Sequence, residues 1–557
     1  MKTYQPAEIR NFAIVGHASS GKTMLSEAML MCGGVITRMG RIADGSTVSD
    51  YHVSEKNRQI SVSASLMHTE WMGKKFNLID TPGYLDFISE GLGALRVGDF
   101  ALVVVHAQHG LGVGTERVWD YATGYGIPKM IVVNAVDKEN VDFDAVVRKL
   151  QERFGRHVFP LNVPVNPGPG FNRVLDVLRS EIVTYAADYS GKYQEEPATG
   201  EWEAKGKELH GQLIEHIAES DDELMNKFFE QGSLSEEEFR AGIHAAVQKQ
   251  LFIPLFCTSA ENNIGVARLM DFIAKYGSSP VDRKKVKAVN ANDAEVEVGL
   301  DDPEPVLYIF KTMSEAHFGE LSFFRTYAGS VSTGMDLYNS DRKVNERIGQ
   351  IYLLNGQIRE AANTLGPGDI AAVVKLKVTH TGNTLCNAKK AVTLPKVVYP
   401  RPNIHASLVA KVKGEEDKIA SGLAALHQED PTFLYVVDAE LHQTIISAQG
   451  ELHLEVVADR LRRRHNVHVE LGEPRVKYRE TIKGKGDSKY RHKKQTGGAG
   501  QFAEVWMRIE PKPRDSGVEF TNSLVGRTWT ACSCRQWRRA STRPAPRASS
   551  PAAVSRT

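Results

Sequence analysis

The chain has 557 residues, 41% hydrophobic and 25% charged, with 69 Lys and Arg against 68 Asp and Glu and a net charge of +1. Single cores rarely pass about 300 residues, so this composition describes a multidomain globular protein without the bulk charge of a nucleic-acid binder. Five cysteines without paired spacing outside the tail argue against a disulfide framework or zinc site, and no apolar run approaches the roughly 20 residues of a membrane span.

Charges at Glu8 and Arg10 interrupt the N-terminus, so no signal peptide is read there and a cytoplasmic location is expected. The stretch Phe12 to Val15 predicts a buried strand, and Lys22-Thr23 open a helix with Leu25, Ala28 and Met29 on one face. Between them Gly16, His17, Ala18, Ser19, Ser20, Gly21, Lys22 and Thr23 fit the G-x-x-x-x-G-K-[ST] phosphate loop. Glycine lets backbone N–H groups turn towards phosphate oxygens, and the helix offers its positive end. Lys22 supplies a cation for the β- and γ-phosphates, and Thr23 a hydroxyl for Mg²⁺. A chance match in an ordinary strand-loop-helix is the alternative.

The polar segment from Thr47 to Ser65, taken alone, reads as a solvated loop entering a strand. Phe76–Ile79 predicts a strand ending in Asp80, Thr81, Pro82 and Gly83. There a carboxylate can hold Mg²⁺ through water while the Gly83 N–H meets a γ-phosphate. Further strands are predicted at Ala101–Val105, at Lys129–Val133 running into Asn134, Ala135, Val136 and Asp137, and at Ile253–Phe256 running into Thr258, Ser259 and Ala260. Alternating strands and helices describe a mostly parallel α/β sheet that binds ligands at the strands' carboxyl ends.

GHASSGKT, DTPGY, NAVD and SA, in this order, resemble the guanine-nucleotide boxes of translational GTPases, specifically the elongation factor G family. The resemblance implies GTP or GDP with Mg²⁺ as ligands. Asn134 and Asp137 would read guanine, with Ala135 and Val136 between them, and Ser259-Ala260 would support the base through the main chain. It also implies a catalytic set of Lys22, Gly83 and Tyr84, with Thr23, Ser61 and Asp80 as metal ligands.

Four positions depart from the family. Ser19 stands where Asp is usual, and Arg58-Gln59-Ile60-Ser61 replaces R-G-I-T, so the switch hydroxyl comes from Ser61. Tyr84 stands where the family places the histidine that orients the attacking water. A phenol can hydrogen-bond water but lacks an imidazole's protonation states near neutrality, so slow or altered GTP hydrolysis is expected. Ala135 replaces the lysine of N-K-x-D, removing a cationic packing contact of about 0.5–2 kcal/mol. Guanine selectivity is expected to persist through Asp137.

The interval from Asn134 to Ser259 is longer than one crossover needs. Residues 158–250 therefore read as an α/β insert, with Ser235 and Glu238 forming a helix capping box. The insert is decorative on its residues alone; the resemblance makes it the extra subdomain of elongation factor G. Residues 281–305, rich in Lys, Asp and Glu, read as a linker. Gly-punctuated β-branched segments in residues 306–398 suggest a β-barrel, and residues 399–482 a small α+β domain with helices at Glu416–His427 and Glu451–Arg464. His453 lies on the second helix with no further ligand at useful spacing, so a structural histidine is expected. QEDPTF (Gln428–Phe433) and GELHLE (Gly450–Glu455) again look like the family.

Residues 483–526 open with six Lys and Arg and Tyr490 between Lys483 and Lys494, then QTGGAGQF. A basic run is usually a solvated face; the resemblance makes it the start of a truncated fourth α+β domain suited to RNA contact. Residues 527–557 hold seven Arg and no acid, and without them the net charge falls from +1 to −6. A disordered basic tail is one reading. A frameshift is favoured, because restoring one nucleotide before codons chosen for Thr528–Arg539 yields NVDRVFVPAVEK, similar to a continuation of the fourth domain. Cys532 and Cys534 are then accidental.

The expected fold is a multidomain α/β chain: residues 1–280 a P-loop GTPase domain with its insert, then linker, barrel, α+β domain and partial fourth domain. The expected function is a ribosome-associated GTPase of the translocation step, with rRNA and ribosomal proteins as partners. It would be a monomer off the ribosome, with no membrane or DNA partner; translocation by this chain itself is doubtful. A non-hydrolysing, GTP-dependent ribosome binder and a sister GTPase of ribosomal-protection or release-factor type are the alternatives.

Overall fold

In the computed structural model the described residues are 2–521, apart from residues 3, 232–233, 284, 316–318, 413, 478–481, 496, 499, 515 and 518. The tail 527–557, with Cys532, Cys534 and Thr528–Arg539, lies outside them. Residues 1–475 and 476–557 form two separate units.

The first unit begins with β1 (Ile9–Val15), α1 (Lys22–Cys32), α2 (Val53–Arg58), β2 (Ser65–Trp71), β3 (Lys74–Asp80), α3 (Ile88–Val97), β4 (Phe100–His106), α4 (Val113–Gly124), β5 (Lys129–Asn134) and α5 (Phe143–Phe154). The insert follows as β6 (Val158–Pro160), β7 (Asn162–Pro164), β8 (Arg173–Asp176), β9 (Glu181–Tyr185), β10 (Tyr193–Pro197), α6 (Glu201–Ala218), α7 (Asp222–Gln231) and α8 (Glu236–Gln248). The chain then returns through β11 (Ile253–Cys257) and α9 (Val266–Tyr276).

Seven strands form one sheet in the order β2-β3-β1-β4-β5-β11-β6. Only β2 runs antiparallel, to β3. The register Ile14↔Asp80 and His106↔Asn134 brings the carboxyl ends of β1, β3, β4 and β5 to one edge. The inner strands are apolar on both faces because helices cover both sides. Phe12 stacks on Phe100 at 5.0 Å and meets Phe76 edge-on at 5.9 Å. Each such buried side chain contributes about 1.5–3 kcal/mol. Strand β6, the first piece of the insert, joins this sheet, while β7 to β10 form their own antiparallel sheet. Ser235 caps α8 as expected, accepting from the Glu238 N–H at 3.3 Å.

The stretch 281–305 carries more structure than a linker. Val286–Asn290 pairs with Glu295–Val298 in a hairpin, joined by Val392–Thr393. Its charges lie outside, as in Lys287–Glu295 at 3.2 Å, while Ala288 and Val298 face inward. Charge density masked a period-two apolar pattern.

An eight-stranded antiparallel sheet follows between Val306 and Cys386, with Val331–Ser332 and Thr364–Leu365 paired beside it. Leu337 near one end of the strand order and Ala362 at the other share one core cluster, so the sheet curls on itself. Buried ion pairs lock this β domain against the first sheet: Lys75 with Asp369 at 2.7 Å and Arg325 with Asp99 at 2.6 Å. Breaking such a pair leaves a bare charge and costs about 3–5 kcal/mol.

The α+β domain orders Leu434–Asp438, Gln443–Ala448, Ile404–Ala410 and Val469–Gly472 in one sheet. Helices α10 (Glu416–Glu429) and α11 (Glu451–His465) share its core through Leu423, Leu426, Val457 and Leu461. His453 is 2% exposed and bonded to Asp430 at 3.1 Å, a structural role. The second unit holds the hairpin of Gly486–Lys494 with Gln501–Ile509.

Candidate active site

Strand β1 empties into a loop that only unusual backbone conformations allow. Gly16 has φ 148° and Gly21 φ 90°, and a Cβ on Gly21 would lie 2.1 Å from Asn134 Nδ2. Ser19 sits at φ 60°, a left-handed position that Asp or Asn fills more readily than Ser. The Lys22 ammonium folds back onto the loop, donating to the Gly16 carbonyl at 3.1 Å and the His17 carbonyl at 2.8 Å. Burial pushes its pKa down to about 8, against the opposing pull of Asp80 and Asp50. Ser20 Oγ is buried without a hydrogen-bond partner. From α4 the Gly114 N–H donates to His17 Nδ1 at 3.3 Å, while the His17 N–H donates to Thr115 Oγ1 at 3.2 Å. Ala18 packs under Gly83, where an added Cβ would lie 2.6 Å from Ala18 Cα and 2.5 Å from Lys22 Nζ. Only glycine lets the end of β3 approach the loop this closely.

The three expected metal ligands converge. Thr23 Oγ1 donates to Asp80 Oδ2 at 2.9 Å and lies 3.2 Å from Ser61 Oγ. Ser49 Oγ donates to the same Asp80 oxygen at 2.7 Å, while Asp80 Oδ1 is buried without a partner. Beside them both oxygens of Asp50 are buried and lack hydrogen-bond partners of ordinary geometry. Burial, then the Glu55 and Asp80 charges, push the Asp50 carboxyl up to about 8, with the Ser61 hydroxyl working against them. The Asp80 and Asp50 carboxyls with the Thr23 and Ser61 hydroxyls are hard oxygen donors of the kind that Mg²⁺ takes.

Asp50 was missed in the sequence because the segment 47–65 is not a solvated loop. Thr47, Ser49, Asp50 and Glu55 are all at most 4% exposed, and residues 53–58 form α2. Glu55 explains the burial, accepting the N–H groups of Val62 and Ser63 at 3.0 Å each and of His52 at 3.1 Å. A polar residue folded inward to satisfy backbone donors looks the same in sequence as one facing water.

Thr81 ties β3 to β1 through its hydroxyl and the Ile14 carbonyl at 2.7 Å, and Pro82 is buried behind it. Tyr84 is 39% exposed at the start of the turn Leu85–Phe87. The segment 47–65 and the turn after β3 meet the α+β domain directly. Val62, Phe87 and Val456 form one buried cluster, and Asp86 Oδ1 accepts the His453 N–H at 3.3 Å, capping the first turn of α11. Tyr51 likewise donates to Glu315 at 3.2 Å on the β domain.

The base end is cross-braced. Asn134 donates to the Ser20 carbonyl at 3.1 Å and accepts from Thr258 Oγ1 at 3.1 Å and the Ala260 N–H at 2.9 Å. It therefore ties the end of β5 to two other loops, a bracing task that its assignment to the base did not foresee. Of the Ser259-Ala260 main chain, which the resemblance gave to the base, the Ala260 N–H is here directed at Asn134. Ala135 holds φ 63° and is buried, and the Val136 N–H donates to the Thr258 carbonyl at 3.2 Å. Asp137 Oδ1 is buried without a partner, whereas Oδ2 accepts from Asn262 at 3.2 Å. Ser259 closes its loop through paired backbone bonds with Ile264.

Four family models match along the chain: the Elongation factor Tu GTP binding domain over residues 7–279, Elongation factor G domain 2 over 305–388, Elongation Factor G, domain III over 399–473, and Elongation factor G, domain IV over 474–530. The chain also superposes on the crystal structure of ttk003000868 from Thermus thermophilus with a TM-score of 0.81 and 31% identity. That match covers 91% of this chain and 74% of the other. Among the described residues no helix is long and apolar enough to cross a membrane, and Cys32, Cys257 and Cys386 are free thiols. A GTP-binding domain whose loops meet at one sheet edge, followed by three further domain matches in order, places the chain in the elongation factor G family.

Proposed function

We propose that this protein is a cytoplasmic, ribosome-associated GTPase that binds GTP and GDP with Mg²⁺ and hydrolyses GTP slowly. The observation that carries the reading is the meeting of Thr23, Ser61 and Asp80 beside Lys22 and the buried Asp50. Thr23 and Ser61 would hold Mg²⁺ through their hydroxyls, with Asp80 and Asp50 behind coordinated water. The ion would neutralise charge on the β- and γ-phosphates. Lys22 would exchange the Gly16 and His17 carbonyls for phosphate oxygens, and the Gly83 N–H would meet the γ-phosphate. Asp137 would accept from guanine.

Hydrolysis needs a group that orients water. Tyr84 can donate or accept one hydrogen bond there, but it does not offer the imidazole's two-nitrogen relay. Loss of the γ-phosphate would release the Gly83 N–H and the turn at Tyr84 and would loosen the hold of Ser61 on the ion. Their contacts to α11 through Val62, Phe87 and Asp86 support a transfer of that change to the α+β domain. On the hairpin, the register puts Lys489, Arg491 and Lys493 on one face with Phe502 and Trp506, and Lys489 lies 4.9 Å from the Trp506 ring centroid. Cations with exposed aromatics suit RNA, which favours rRNA as a partner.

Single-turnover GTPase with and without ribosomes tests this reading. Ribosomes should raise the rate, and Tyr84→His should raise it further by about 100-fold; an unchanged rate in that variant sinks the assignment of Tyr84. The exposed phenol also favours a second reading, a GTP-gated ribosome binder without turnover. Co-sedimentation that depends on a non-hydrolysable GTP analogue, with no phosphate released, would select it.

A further inference from the structure

Asn262 lies outside every motif that marked the site, yet its side chain reaches the residue assigned to the base. The loop carrying it is closed at both ends. Ser259 and Ile264 exchange backbone bonds of 3.0 and 2.9 Å, and the Asn263 N–H donates to the Ala260 carbonyl at 3.2 Å. Asn263, 1% exposed, anchors the loop on two sides, donating to the Tyr189 carbonyl of the insert at 3.0 Å and accepting from Cys32 Sγ of α1 at 3.3 Å. On this fixed base Asn262 Nδ2 donates to Asp137 Oδ2 at 3.2 Å and to Ser259 Oγ at 3.0 Å.

The result is an asymmetric carboxylate. Oδ2 of Asp137 faces Asn262 and, at 3.6 Å, the Lys138 ammonium, which itself lies closer to Glu261 at 2.8 Å. Oδ1 is buried with no protein donor. The terminal torsion of an aspartate is broad and roughly two-fold, so nothing intrinsic to Asp137 holds its plane. Asn262 supplies the missing constraint from a loop that cannot shift easily.

We propose that Asn262 is a positioning residue that fixes the plane of the Asp137 carboxylate and so sets discrimination between guanine and hypoxanthine nucleotides. The proposal rests on the reading of this site as a guanine-nucleotide site. Guanine presents its ring N1–H and its exocyclic amino group side by side. A carboxylate accepts both only when its two oxygens lie in the plane of the base, whereas hypoxanthine presents the ring N–H alone and tolerates a turned carboxylate. Plane control therefore matters more for guanine. It matters further here because Ala135 contributes no cation to hold the base.

The test is competition of GDP, inosine diphosphate and ADP against a fluorescent GDP analogue on the full chain, for the wild type, Asn262→Ala and Asn262→Asp. Asn262→Ala should weaken GDP by about tenfold and inosine diphosphate by about threefold or less, so that the ratio between them falls. Asn262→Asp, nearly isosteric, turns a second carboxylate on Asp137 and should weaken GDP more than the alanine variant does. Equal weakening of both nucleotides by Asn262→Ala, which a purely structural role predicts, overturns the proposal, as does wild-type affinity in Asn262→Asp. If the wild type itself fails to prefer GDP over ADP, the guanine-site reading falls and the proposal with it. A wild type that prefers GDP, with an unaltered ratio in the alanine variant, removes the proposal alone.

Discussion

The two ends of the proposed nucleotide site are built on opposite principles. At the phosphate end, Ser20 Oγ, Asp80 Oδ1 and both oxygens of Asp50 are buried without hydrogen-bond partners of ordinary geometry. At the base end, Asn134, Thr258, Ala260, Ser259 and Asn262 satisfy one another, and Asp137 Oδ1 is the buried oxygen left free. Buried unsatisfied oxygens cost roughly 1–3 kcal/mol each. The phosphate end is thus poised to respond to charge, while the base end holds a fixed shape. Binding strength and response to hydrolysis should reside in the first, and selectivity in the second.

The sharpest way to break this comparison is Lys22→Ala, which should lower affinity for GTP and GDP alike by at least about 100-fold in fluorescent-nucleotide titrations. A loss confined to guanine over adenine selectivity would contradict the division. Next, Asp50→Asn should weaken Mg²⁺ support of nucleotide binding by about tenfold, as outer ligands of metal sites do. GDP affinity measured in chelator should stay as it was. At the base end, Ala135→Lys should strengthen GDP binding by about threefold to tenfold through the restored cationic contact, with no change in Mg²⁺ dependence. The left-handed backbone at residue 135 costs Lys no more than Ala, and thermal unfolding of the variant reads any cost of placing the longer side chain at this buried position.

A pair outside the site serves as the control. Burial raises the Asp430 carboxyl, but its bond to His453 outweighs that and holds it well below the usual carboxylate range. A depressed carboxylate stabilises above its unfolded value of about 4 and loses that contribution as pH falls through the folded value. Hydrogen-exchange protection of α11 should therefore drop as the pH is lowered below about 4. Asp430→Asn should remove about 1.5–3 kcal/mol of that protection at neutral pH and flatten the response. GDP affinity should be unaffected.

Much of the molecule was legible in the residues because its signals are local. The apolar runs of β1, β4 and β5, the glycines that permit φ 148° and φ 90° in the loop, and the Ser235 cap are each set by a few adjacent side chains. What was misread shares one property. The segment 47–65 and the hairpin at 286–298 are rich in charged or polar residues, and polarity suggested solvent. In the first, Glu55 turns inward to three backbone N–H groups. In the second, charges line one face of a sheet whose other face is apolar.

By itself, then, the sequence determined the order of the domains, the phosphate loop and the identity of the residues at the strand ends, since these depend on backbone conformation and short-range pattern. Tertiary structure alone decided that Asp50 stands with Thr23, Ser61 and Asp80, that Asn134 ties β5 to two other loops, and that Asn262 reaches Asp137 from 125 positions away along the chain. Such meetings depend on which buried polar groups must find partners once the chain has closed, and that condition belongs to the packed molecule and to no single stretch of it.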